Sequence, residues 1–319
     1  MLKFINRKIV FQWVLLLVLL VISVYTVSTR SQMADMQGNV FLYMYFANFF
    51  LQYPFLGKGI IILLLLLQII LLQFYFRKNE YADKNTLLPA CIYLSILLLT
   101  NSLTIIFPFF FTLLFFLIII SIGNSISLTN IINSAFWSGV TIAVAACFDI
   151  SSILLLILMA YLLIVNHFSK IREMGILCFG FTLVIFYFFA YYFFTNHLDE
   201  WIATFQQVRI LRILKESILH NSLPIISLIV LGIIYTFFIV KAKLLSDVKV
   251  MVQRRRISIF NIFSIGMVAC LFISNSAYPH ILGYLFIPIS IYLSIIIQEK
   301  NSFFYHEIIT VLTLAALWV

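Results

Sequence analysis

Acidic side chains are scarce in this chain, 11 among 319 residues, so each one set against apolar sequence is a candidate for chemistry. Asp35 lies in the polar stretch Thr29–Asn39. A carboxylate there could act as a general base, or hold a divalent cation against a phosphate, and it reads equally as a solvated loop residue. Asp149 stands in Phe148-Asp149-Ile150-Ser151-Ser152, just ahead of an apolar run. It suits an N-cap that accepts from free backbone N–H groups, or a second catalytic acid on the same side as Asp35. Arg209, Arg212 and Lys215 fall within seven residues and follow Asp199 and Glu200. Three such cations could grip a phosphate or pyrophosphate, although acids first and bases last also complement a helix dipole. Glu307, beside His306, is either interfacial or an acid for proton or ion coupling within a span.

Soluble-enzyme signatures are missing: there is no GxGxxG, P-loop, HExxH, nucleophile elbow or CxxC. The five histidines are scattered, which disfavours a histidine metal centre. Cys91, Cys147, Cys178 and Cys270 all lie in apolar runs and read as packing residues. Any cofactor is unknown from these residues, a divalent cation being the one candidate.

The elements that must position these residues are set by composition. The chain is 64% hydrophobic and 10% charged, against about 25% charged in soluble domains. No soluble fold hides that much apolar surface, whereas a bilayer solvates it. The expected fold is an all-α polytopic bundle forming a single transmembrane domain over 1–319. About eleven spans (nine to twelve) are drawn at Ile9–Val27, Gly59–Phe76, Leu87–Thr104, Ile105–Ser121, Ile131–Phe148, Ile153–His167, Gly175–Thr195, Ser222–Val240, Ile257–Ile273, Ile281–Ile297 and Phe303–Val319. Asn101, Ser102 and Pro108 interrupt the third and fourth and suit a tight helical hairpin. Met1–Val27 reads as an uncleaved first helix.

The net charge of +9 sits in short clusters between apolar runs, which argues against nucleic acid. With the N-terminus cytoplasmic, the inner loops collect Lys3, Arg7, Lys8, Arg77, Lys78, Lys84, Lys170, Arg172, Lys241, Lys243, Lys249, Arg254, Arg255, Arg256 and Lys300. The outer loops collect Arg30, Lys58, Arg209, Arg212 and Lys215, so the count is 15 against 5. The expected location is a bacterial inner membrane with the C-terminus outside. Its partners would be the bilayer, a lipid-linked substrate and other membrane proteins.

Two outer segments exceed turn length. Residues 28–58 hold the polar stretch and then an aromatic-rich one suited to an interfacial or re-entrant helix. Residues 196–221 suit an amphipathic helix lying in the outer interface. In the fifth span Ser134, Ser138, Gly139, Ala143 and Ala146 form a small-residue face expected to be a packing seam.

The stretch INSAFWSGVTIAVAACFDISSILLLILMAYLLIVNHFSKIREMGILCFGFTLVIFYFFAYYFFTNHLDEW resembles an uncharacterised family of Bacteroidetes inner-membrane proteins. The shared features are a small-residue span, a short outer turn, an apolar span, a basic inner turn ending in Arg172-Glu173 and an aromatic-rich span. That resemblance implies a location and a fold kinship but no chemistry. In architecture the chain also looks distantly like multi-span glycosyltransferases acting on lipid-linked sugars, with Asp35 and segment 196–221 as the matching parts. A transferase of that kind is the leading expectation. A non-catalytic membrane subunit of an envelope assembly, export or glycan-processing complex follows, and a transporter or lipid flippase comes last.

Overall fold

The computed structural model describes residues 9–30, 49, 52–81, 86–99, 107–125, 131–165, 171–196, 198, 202, 235–240, 244, 251–273 and 280–300. These are helical or in turns, with no strand among the described residues. In chain order the helices are α1 (Ile9–Arg30), α2 (Pro54–Lys78), α3 (Leu88–Leu99), α4 (Phe107–Ser125), α5 (Ile131–Phe148), α6 (Leu154–Val165), α7 (Ile171–Phe194), α8 (Met251–Ile273) and α9 (Phe286–Lys300), with 3-10 turns at Ile150–Ile153 and His280–Leu285. Among the described residues four helices are long and apolar enough to cross a membrane: Gln12–Thr29, Pro54–Lys78, Ile131–Phe148 and Ile171–Phe194. Over the described residues the fold is thus an all-helical bundle that includes helices long and apolar enough to span a membrane.

Hydropathy places the fifth helix correctly, Ile131–Phe148, but draws several others short. The first helix continues to Arg30, and within it Ser28 and Thr29 satisfy their hydroxyls on the carbonyls of Val24 and Tyr25, each at 2.8 Å. The second begins at Pro54, whose missing N–H costs nothing in a first turn. Lys58 Nζ then donates to the Ser28 carbonyl at 2.6 Å, so both edges of the expected loop 28–58 are helical and joined. Pro108, expected within a break, is the second residue of α4. Arg172 and Glu173 were expected in a turn and Arg254–Arg256 in a loop, yet all lie in the opening turns of α7 and α8. An apolar run marks where the hydrocarbon begins, whereas backbone hydrogen bonding continues past that boundary. Glu173 also suits the positive end of the helix dipole.

Helix ends are closed by local polar chemistry. Beyond α2, Asn79 donates its side-chain amide to the Tyr75 carbonyl at 3.0 Å, and Glu80 adopts φ 51°. Asn196 does the same beyond α7, with φ 57°. A left-handed residue at this position satisfies the last carbonyls, and here a side chain with a Cβ takes the place usually given to glycine.

One apolar core joins α1 through α9. Its amide-bearing side chains are paired across helices: Gln68 of α2 accepts from the Tyr93 hydroxyl at 2.7 Å, and Gln12 of α1 accepts from the Leu87 N–H at 2.8 Å. In hydrocarbon such groups must be satisfied internally, so each pairing pins a register between helices. The expected seam in α5 is real. A Cβ on Gly139 would stand 2.2 Å from the Leu177 carbonyl oxygen, and one on Gly180 would stand 2.5 Å from that of Phe136. Thus α5 and α7 touch backbone to backbone.

Candidate functional site

The polar interior of the bundle is organised along α8. At its C-terminal end lies the turn after α5. The Asp149 N–H still bonds to the Ala145 carbonyl at 2.8 Å, but its backbone is extended, which stops the helix. The carboxylate accepts from the Ser151 N–H at 3.1 Å, the N-cap role that its place before an apolar run suggests. Asp149 is only 6% exposed. The Ser151 hydroxyl lies 3.4 Å from that of Tyr284, and Cys270 donates its thiol to the Ser151 carbonyl at 3.3 Å. Ser152 Oγ is buried with no hydrogen-bond partner among the described residues. Tyr284 meets the Phe116 ring edge-on at 5.0 Å, while Phe148 stacks on Phe115 at 5.5 Å. The two 3-10 turns therefore meet beside the C-terminal part of α8, through the Ser151 and Tyr284 hydroxyls and the Cys270 thiol, with the Asp149 carboxylate capping the first turn.

Such a group can take up a proton, accept from a sugar hydroxyl, or contribute one oxygen to a cation. Among the described residues no three His, Cys, Asp or Glu side chains meet, so these residues do not complete the oxygen shell of a divalent ion.

Half-way along α8 a second polar cluster occurs. The Tyr292 hydroxyl of α9 donates to Asn261 Oδ1 at 2.6 Å and lies 2.8 Å from Ser264 Oγ. Towards the N-terminal end of α8, Tyr75 and Tyr81 share a hydrogen bond at 2.8 Å, and the Tyr81 hydroxyl reaches the Arg256 carbonyl at 3.4 Å. Phe260 links these clusters, with ring centroids 5.9 Å from Tyr81 and 5.1 Å from Tyr292.

Of the residues singled out from sequence, Asp149 is placed and is brought together with Ser151, Ser152, Cys270 and Tyr284. Asp35, Arg209, Arg212, Lys215 and Glu307 lie outside the described residues, as does most of 28–58 and 196–221. The Asn261–Ser264–Tyr292 cluster escaped sequence reasoning, although a signal existed. Asn261 and Ser264 stand three residues apart in the apolar part of α8, and hence on one face.

No protein family, curated protein or solved structure matches the chain.

Proposed function

We propose that the chain is an enzyme of the bacterial inner membrane that acts on a lipid-linked sugar at the outer face. In this reading it has about eleven spans, a cytoplasmic N-terminus and kinship with the uncharacterised Bacteroidetes family. The observation that carries it is Asp149, a carboxylate buried at a helix break among hydroxyl groups, because a polar residue of this kind in a membrane bundle is costly to keep without a use. Relative to α8, the Asp149 turn is at the opposite end from the arginines Arg254–Arg256, as an outer site requires under the charge asymmetry. Asp149 serves as base or as acceptor for a sugar hydroxyl. Asp35 is the second acid, acting alone or through a divalent cation held against the substrate phosphate. Arg209, Arg212 and Lys215 grip the lipid phosphate.

Asp149→Asn separates capping from charge, since asparagine caps a helix about as well as aspartate. The expected result is a folded, membrane-inserted protein with surface glycan production lost in cells that depend on this copy. Wild-type glycan from the Asp149→Asn protein removes Asp149 from the mechanism; wild-type glycan from Asp35→Ala as well removes the transferase reading.

A second reading has its own observation. Beyond Gly180, α7 buries no side chain among the described residues and presents Phe186, Tyr187, Tyr191, Phe193 and Phe194 outward. That surface suits a membrane subunit docking a partner helix. Co-purification of a stoichiometric partner in mild detergent, lost on replacing these aromatics, favours it.

A further inference from the structure

The buried phenols of the bundle are mostly paired: Tyr93 gives its proton to Gln68, and Tyr75 and Tyr81 share a hydrogen bond. Tyr235 breaks that pattern. It lies in the helical stretch 235–240, is 3% exposed, and its hydroxyl has no hydrogen-bond partner among the described residues. The ring meets that of Tyr292 edge-on, with centroids 6.0 Å apart, and the hydroxyl faces Ser264 outside hydrogen-bond geometry. A phenol with a proton to give therefore stands at the edge of the Asn261–Ser264–Tyr292 cluster of α8 and α9.

Proton counting defines what that edge can take. The single proton of Tyr292 goes to Asn261 Oδ1 at 2.6 Å. The single proton of Ser264 has two acceptors, the Tyr292 oxygen and the Asn261 carbonyl, each at 2.8 Å. Ser264 thus has nothing to give to Tyr235 and keeps its oxygen as an acceptor. A donor and an acceptor that face each other without touching suit one small group between them, which accepts from the first and donates to the second. We propose that this group is a bound water molecule, which bridges Tyr235 to Ser264 and ties stretch 235–240 to α8. Ser264 and Tyr292 are fully buried, and Phe260 packs on Tyr292 with ring centroids 5.1 Å apart, so the place suits a molecule of water's size and not a larger polar ligand. The four polar side chains are neutral, so none would offset the charge of a bound cation. Buried this deep among apolar helices, the Tyr235 hydroxyl is costly unless it is satisfied from within, and the water satisfies it. The proton chain runs from Tyr235 through the water, Ser264 and Tyr292 to the Asn261 amide oxygen, which passes no proton on. The water therefore joins helices and does not conduct protons.

The test exposes the purified full chain in neutral detergent to an X-ray pulse, which splits water into hydroxyl radicals. Mass spectrometry then reads the oxygen added to each tyrosine. The radicals react close to where they form, so a buried ring is labelled where water sits beside it. Tyr93 is the internal standard, because it is as buried as Tyr292 and its proton is taken by Gln68 at 2.7 Å. Tyr235 and Tyr292 are expected to label about tenfold or more faster than Tyr93, since a buried water stays beside them. Tyr235→Phe is expected to bring Tyr292 down to the Tyr93 rate, and Ser264→Ala serves equally if the first variant does not purify. Labelling of Tyr235 and Tyr292 no faster than that of Tyr93 overturns the proposal. So does Tyr292 labelling undiminished in both variants, which marks water arriving by another route. Labelling that rises only once bound lipid is stripped overturns it too, because it marks a lipid hydroxyl in the same place.

Discussion

Helices α7 and α8 have nearly the same length, 24 and 23 residues, yet they occupy opposite situations. In α7 only Glu173, Leu177 and Gly180 are buried, and only 11% of its apolar window is covered. By contrast α8 is the hub, packed on α4, α6 and both 3-10 turns, with Phe260, Phe263, Ser264, Met267 and Cys270 all buried. The more continuously apolar helix is the outer one. The helix carrying Asn261, Ser264 and Gly266 is inside. In water the rule runs the other way, but in a bilayer apolar side chains lose nothing by facing lipid, while polar ones must find partners in the protein.

The sharpest way to break this contrast is at the α5–α7 seam, because α7 has little else to hold it. Gly139→Leu drives a side chain into the Leu177 carbonyl, and neither backbone can yield cheaply. A loss of about 3 kcal/mol or more is expected, read as a fall in thermal stability in detergent with α7 becoming protease-accessible. A stability unchanged by Gly139→Leu would falsify the close approach of the two backbones. Next in size is Asn261→Leu in α8, which removes the acceptor for the Tyr292 hydroxyl and leaves that phenol to Ser264. Interhelical hydrogen bonds in membranes average about 0.6 kcal/mol and reach about 1.7, so a cost of about 1 kcal/mol is expected in steric-trap or denaturant unfolding. Pairing it with Tyr292→Phe should show non-additivity; full additivity would mean the two do not interact. The smallest effect is expected at Phe186→Leu on the outer face of α7, within about 0.5 kcal/mol by the same measurement. A larger cost there would mean that α7 is covered by protein instead of lipid, and would strengthen the docking reading.

Much of the fold was legible, for identifiable reasons. Ile131–Phe148 is bounded by polar residues on both sides and carries its own small-residue face, so both its limits and its seam could be read. Asp149 as a cap could be read because capping is local, involving a carboxylate and an N–H two residues on. The opening turns of α7 and α8 read as loops from sequence because their charged residues end the apolar run, whereas the helix continues through them. The grouping of Asp149 with Cys270 and Tyr284, which come far later in the chain, had no local signature. Nor did the contact of Arg256 with the Lys78 carbonyl and Glu80.

Local composition and short-range hydrogen bonding were enough to read a membrane as the solvent, a helical class, the positions of the described apolar helices and Asp149 as a cap. Only the tertiary structure decided which apolar helix is central, which backbones touch, and which distant polar groups share a site. The physical reason is that lipid and protein interior are equally apolar. Hydropathy therefore does not sort one helix face from another, and the sorting falls to glycine contacts and a few hydrogen bonds that form only once the helices have met.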